Sequence, residues 1–350
     1  MQAAPSSLCL VRLSALGDVV LATALVQTLQ ARFPEAKLTW ITSAMTRDLL
    51  GGLPGIEWIV LPRPMRARDY FALRRQLRGR RFDVLLAAQA SFRANFVHAC
   101  VPARRKIGFD AARGRDLHGW FVGERIRARD EHLAEGFLAF AEALGLPPER
   151  HVRRLALPLD ETDFAAARAK VGPGPYFVVN PAASKAERTW LPERYAAVAD
   201  HVARQSGWRI VLTGGGGAGE TALVREVGER VSAPTLNLAG RTSVRELAAV
   251  LAGAEGVLAP DTGPVHLAAA VGTPVIGLYA VARGALTGPW PESGYCVDRY
   301  ADAVRTLLGR PVESVGWHTR VHDPRAMALI AVEEVCAQAD RLIAARTGRR

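Results

Sequence analysis

Short apolar runs alternate with longer amphipathic stretches along most of this chain. Residues 8–13 (LCLVRL) form an apolar run, the turn Ser14-Ala15-Leu16-Gly17-Asp18 follows, and residues 19–32 read as a helix stopped before Pro34. The pattern then predicts a strand at 37–42 (KLTWIT), a short helix at 46–53 ended by Pro54, and a strand at 58–61. A helix follows at 69–78 and a buried strand at 83–88. It assigns nothing from 89 to 130. Residues 131–144 read as a helix closed by Gly145 and the Pro147-Pro148 pair. The stretch 155–175 holds Pro158, a short amphipathic segment and Gly172-Pro173-Gly174-Pro175, and reads as a linker.

After the linker the alternation restarts. Strands are predicted at 176–180, 208–213, 235–239, 256–259 and 274–278, with helices at 192–205, 220–231, 243–251 and 263–270. Alternation of this kind builds parallel βαβ units. The expected fold is therefore α/β, with two Rossmann-like, doubly wound domains at 1–165 and 172–323 facing a cleft between their strand ends. A loop rich in Gly and Pro leads to a last helix within 324–350, expected to pack back toward the first domain.

Composition narrows the class. The 350 residues are 49% hydrophobic and 23% charged, with mean hydropathy +0.06, which excludes a disordered chain. Basic residues outnumber acidic ones 45 to 34, a net charge of +11, and all but Lys37, Lys106, Lys170 and Lys185 are arginines. Arginine grips carboxylates and phosphates well, so the charge points to an acidic partner: nucleic acid, membrane or a small anion. The first residues lack a basic n-region and Arg12 breaks the apolar stretch, against a signal peptide. No run approaches the roughly 18 apolar residues that read as a membrane-spanning helix. Cys9, Cys100, Cys296 and Cys336 are widely spaced, against a disulfide framework or zinc site and for a reducing, cytoplasmic setting.

The candidate chemistry sits at strand-to-helix turns. Asp18 opens a helix after Gly17, and reads either as a carboxylate complementing the helix dipole or as a general base. NPAASKAERTW (180–190) places Ser184, Lys185, Arg188 and Thr189 around a loop, either a solvated polar turn or a set of donors for a diphosphate. GGGGAG (214–219) formally satisfies GxGxxG, which supports an NAD(P)-dependent oxidoreductase as the alternative. However, Leu238-Ala239-Gly240-Arg241 stands where the ribose-binding acid belongs. Glu220 beside it is a first-turn carboxylate or a ribose contact. APDTGPVHL (259–267) starts a helix at Asp261-Thr262-Gly263-Pro264, where backbone amides at the amino end suit an anion, with His266 on the same turn. There is no GxxxxGK[ST], HExxH or GxSxG, and no recognisable nucleic-acid module.

LVRLSALGDVVLATALVQTLQARFPEAKLTWIT, NPAASKAERTWLPERYAAVADH, VLTGGGGAGE and VLAPDTGPVHLAAAVGTPVIGLY resemble, in order and spacing, segments of the family-9 glycosyltransferases, the ADP-heptose:lipopolysaccharide heptosyltransferases of Gram-negative bacteria. The resemblance implies a GT-B fold and metal-independent, inverting transfer of L-glycero-D-manno-heptose from its ADP-sugar to the Kdo/heptose inner core, with no cofactor. It implies Asp18 as the base. Ser184, Lys185 and Arg188 would hold the diphosphate, with arginine at 188 where many members carry lysine. Glu220 would meet the ribose and the Leu238–Arg241 segment the adenine. Asp261, Thr262, Gly263 and His266 would contact heptose and phosphates. Arg63, Arg66, Arg68 and Arg115 would meet an anionic Kdo–lipid A type acceptor, implying peripheral contact with the inner-leaflet membrane surface and no nucleic acid. The Gly108-Phe109-Asp110 segment and the helix at His132 look more like type I than type II enzymes. Other sugar transferases of the family, and a scaffold that binds precursors without turnover, remain alternatives.

Overall fold

A computed structural model describes residues 4–348. The chain divides into two compact units, with the boundary between Pro158 and Leu159.

In the first unit β1 (Ser7–Val11) leads into α1 (Leu16–Arg32), β2 (Lys37–Ser43), α2 (Ala44–Leu50) and β3 (Ile56–Leu61). There follow α3 (Ala67–Gln76), β4 (Phe82–Ala87), α4 (Phe92–Cys100), β5 (Ala103–Phe109), β6 (Glu124–Ile126) and α5 (Leu133–Glu142). The six strands form one parallel sheet in the order β3-β2-β1-β4-β5-β6. Leu8 to Val11 are buried without alternation, as expected where helices cover both faces of a parallel sheet. One face packs Cys9, Val11, Ile41 and Leu85 against Leu73 and Leu77 near α3 and Ala94 and Val97 of α4.

The second unit runs α6 (Glu161–Val171), β7 (Tyr176–Val179), α7 (Pro192–Ser206), β8 (Arg209–Leu212), α8 (Ala218–Arg230), β9 (Thr235–Asn237) and α9 (Val244–Ala252). It continues through β10 (Gly256–Pro260), α10 (Gly263–Ala270), β11 (Val275–Tyr279), α11 (Gly284–Thr287), β12 (Val297–Asp298), α12 (Tyr300–Leu307) and α13 (Val332–Thr347). Its parallel sheet has the order β12-β11-β10-β7-β8-β9. No helix among the described residues is long and apolar enough to cross a membrane.

Two expectations change. Residues 161–171 are not linker but a helix of the second unit. Asp160 caps α6 through the amides of Thr162 and Asp163 (2.9 and 3.1 Å), and Arg245 of α9 pairs with Asp163. Helix α6 is the short amphipathic segment between Pro158 and Gly172, and only Ala167 and Val171 of it are buried. Val335, Ala339, Leu342 and Ile343 of the last helix, α13, join the second unit's core, against α7. The first-domain limit moves from 165 to 158. Residues 1–3 and 349–350 of the expected domains lie outside the described residues. Elements the pattern did not assign also appear: α4, β5, β6 and, within the Gly/Pro-rich stretch, β12 and α12.

Candidate functional site

A doubly wound sheet opens a crevice at the carboxyl ends of the two strands where its order reverses. In the first unit those strands are β1 and β4. The exit of β1 carries Arg12, and α1 begins early enough that Asp18 is its third residue. Arg12 NH2 pairs with Asp18 Oδ2, which also accepts from the Ala15 amide at 3.2 Å. The guanidinium is held from two further sides: NH1 donates to the Ala88 carbonyl at 2.7 Å, and the Phe137 ring centroid lies 5.2 Å away. Gln89, after β4, accepts from the Leu13 and Ser14 amides at 2.7 and 3.3 Å. Burial lowers the proton affinity of Arg12, and the adjacent Asp18 carboxylate opposes that fall. Asp18 is thus clamped through one oxygen, while its side chain stays 28% exposed. Arg12, which the sequence marked only as a break in an apolar run, is the residue that orients it.

In the second unit the reversal falls between β7 and β10. The loop after β7 folds back through a single turn at Ala186–Arg188. Arg188 NH2 donates to Ser184 Oγ at 2.7 Å, and NH1 reaches both the Asp261 carbonyl (2.9 Å) and Asp261 Oδ2 (3.0 Å). Arg320 approaches Asp261 Oδ2 at 3.8 Å. Two guanidiniums therefore flank one nearly buried carboxylate, and Arg188 Nε is buried without a hydrogen-bond partner among the described residues. Thr262 precedes α10 with extended backbone, and Pro264, which has no N–H, sits in the first turn. The Thr262 and Gly263 amides thus stand at the positive end of the helix beside Arg188, an anion-binding arrangement. Arg320 escaped sequence reasoning because it comes from a distant loop and belongs to no recognisable pattern.

The other candidates are placed less tightly. Lys185 is exposed beside Ser184. His266 is buried in α10. Trp190 is a core residue, donating to the Ile330 carbonyl at 3.2 Å. Glu220 lies in the first turn of α8, where its carboxylate accepts from the Gly215 amide at 2.7 Å. Within the glycine run the tight positions are Gly214, where a Cβ would stand 2.9 Å from Val224 Cγ2, and Gly215, beside the Glu220 carboxylate. Gly240 adopts φ +68°, and a Cβ there would stand 3.1 Å from the Gly216 Cα. Arg63 lines a groove between α3 and α4. Arg66 precedes α3, its amide held by Asp69 at 2.7 Å, and Arg68 is largely exposed. Arg115 is exposed on the turn after β5, with its carbonyl bound by Asn95 at 3.1 Å.

The family model "Glycosyltransferase family 9 (heptosyltransferase)" matches residues 70–305. The chain is 34% identical to the lipopolysaccharide core heptosyltransferase OpsX of Haemophilus influenzae, covering 97% of each chain. It is 25% identical to lipopolysaccharide heptosyltransferase 3 of Escherichia coli, covering 93% of this chain and 95% of that one. Among solved structures, a family 9 glycosyl transferase from Veillonella parvula superposes with a TM-score of 0.77 at 19% identity, covering 97% of both chains. E. coli ADP-heptose lps heptosyltransferase II superposes at 0.72 and 19%, covering 97% and 99%. With two parallel six-stranded α/β sheets of the GT-B type and the family match across most of its length, the chain belongs to glycosyltransferase family 9, the heptosyltransferases, and is an enzyme of that class.

Proposed function

We propose that the enzyme moves heptose from ADP-L-glycero-D-manno-heptose to the Kdo/heptose inner core of lipopolysaccharide, by one inverting displacement without a metal. The observation that carries this reading is the crevice between β7 and β10, where Arg188, Arg320 and the amino end of α10 surround Asp261. The printed names of the relatives supply the sugar and acceptor class.

In this reading Asp18 takes the proton of the acceptor hydroxyl as its oxygen attacks the anomeric carbon. The bond from that carbon to the diphosphate oxygen breaks and ADP departs. Arg188, Lys185, Ser184 and the Thr262 and Gly263 amides take up the charge that develops on the diphosphate, the task a divalent cation performs in other transferases. Asp261 keeps Arg188 in place, and Arg63, Arg66, Arg68 and Arg115 meet the anionic acceptor. Glu220 and His266 contribute to the donor side.

The test is ADP release from ADP-heptose with Kdo2-lipid A. Folded Asp18→Ala should lose at least about a hundredfold in kcat, the low end of what a positioned general base contributes; near-normal turnover would remove Asp18 from that role. EDTA should leave the wild-type rate unchanged, and a loss restored by magnesium would overturn the metal-independent step. Comparing Kdo2-lipid A with its heptosylated form as acceptors would fix which core hydroxyl is used.

A further inference from the structure

Seven large hydrophobic side chains are exposed among the described residues, and five of them cluster on one part of the first unit: Phe71, Phe92, Phe96, Leu117 and Trp120. Phe71, Phe92 and Trp120 are 72%, 68% and 81% exposed. Phe92 meets Phe96 edge-on at 4.8 Å, and Phe96 lies 5.9 Å from both Tyr70 and Phe121. Between α3 and α4 runs a groove of about 630 Å³, walled by Arg63, Phe71, Phe92, Arg93 and Phe96 among others. The backbone that presents these rings is pinned. Asp116 Oδ2 accepts from the Phe92 amide at 2.7 Å, and Asn95 Nδ2 donates to the Arg115 and Asp116 carbonyls at 3.1 and 2.7 Å.

The same face is strongly basic. Residues 62–81 hold eight arginines and a single acid, Asp69; of these Arg80 is paired with Glu57 and Arg68 lies beside Asp69, while Arg63, with Arg93, lines the groove itself. Arg93 is drawn down from its ordinary proton affinity by burial and by the like charge of Arg63, so the groove holds two cations that repel one another. Exposed aromatic rings beside arginines are unfavourable in water and are stabilised where apolar chains meet anionic headgroups.

We propose that the face formed by α3, α4 and the 117–121 turn docks on the surface of a bilayer containing anionic lipids. The rings enter the boundary between headgroups and acyl chains, and Arg93 holds a lipid phosphate. This rests on the reading that the acceptor is a membrane glycolipid, and it assigns the membrane contact to particular residues.

The experiment is co-sedimentation of the full chain with sucrose-loaded vesicles of phosphatidylcholine alone, or of phosphatidylcholine with phosphatidylglycerol, at about 0.15 M salt. Wild type should partition onto the anionic vesicles and not the neutral ones. The triple variant Phe71→Ser, Phe92→Ser, Trp120→Ser should lose about tenfold or more in partitioning, since each ring buries substantial apolar area. Its circular dichroism, and its transfer to detergent-dispersed Kdo2-lipid A, should stay at wild-type level. Arg93→Gln should weaken binding to anionic vesicles and flatten its salt dependence. Absence of wild-type partitioning, or a triple variant that partitions like wild type, overturns the proposal. So does a dimer that the triple variant abolishes while vesicle binding persists. Loss of transfer to the dispersed acceptor with vesicle binding intact also overturns it, because the groove would then hold an acceptor chain. Failure of wild type to transfer heptose at all would count against the catalytic reading and leave the vesicle comparison to stand by itself.

Discussion

Arg12 and Asp18 are six residues apart, yet the turn between β1 and α1 brings their charges into contact. A guanidinium this buried needs a counter-ion and hydrogen-bond acceptors, and Asp18, the Ala88 carbonyl and the Phe137 ring supply them. The same contacts fix Oδ2 of Asp18 and, in the proposed reaction, leave Oδ1 for the acceptor hydroxyl. Arg12 is therefore a positioning residue for the proposed base. Arg12→Gln should lower kcat by roughly ten- to a hundredfold, the worth of a buried charge-assisted hydrogen bond of about 1.5–3 kcal/mol, with little change in the KM for ADP-heptose. Arg12→Lys keeps the charge and should recover part of the rate. A variant that raises donor KM while sparing kcat would contradict this role. Asp18, Arg188 and Asp261 stood out in the sequence because each lies in a strand-turn-helix segment whose local pattern is visible. Arg12 and Arg320 did not, because their importance comes only from what the fold places beside them.

Among the elements, those with apolar runs or amphipathic stripes were legible: β1, α1, β7, α7, β10 and α10 lie within a few residues of the expected positions. Those missed carry their polar groups inside the fold. β5 reads ARRKIGF, and its charges are absorbed by pairing, Arg105 with Glu124 of β6 at 2.7 Å and Lys106 with the His98 carbonyl at 2.8 Å. The turn after β5 hangs on His118, whose Nε2 accepts from the Phe109 amide at 3.1 Å while Nδ1 meets Asn95 Oδ1 at 2.8 Å. That arrangement uses a neutral ring, and burial first, then Arg125, push the His118 pKa down to about 4. The unfolded chain would take up that proton near pH 6.5, so this residue's contribution to stability is complete above about pH 6.5 and is lost as pH falls toward 4. A His118 ring signal titrating near 4 by NMR would bear this out. Titration near 6.5 would contradict the buried neutral ring, and with it the rigid support of Leu117 and Trp120.

At the scale of the molecule, the +11 charge is unevenly used. Some arginines close structural ion pairs, such as Arg80 with Glu57 and Arg245 with Asp163, while others gather at the two crevices and beside α3, where the proposed functions lie. Each unit repeats the same device: charged groups gathered where a parallel sheet reverses its strand order. In the proposed reaction their tasks differ, proton removal in the first unit and donor binding in the second, and ADP can separate them. A ligand bound only by the folded chain stabilises it by about 2.7 kcal/mol at a hundredfold excess over its Kd, which raises the thermal midpoint. The shift given by ADP should persist in Asp18→Ala and Arg12→Lys, whose altered groups belong to the crevice between β1 and β4. It should shrink strongly in Arg188→Ala, which removes a donor to the diphosphate and leaves Asp261 with one fewer cation beside it. Loss of the shift in Asp18→Ala, or its survival in Arg188→Ala, would contradict this division of labour even if turnover fell in both variants.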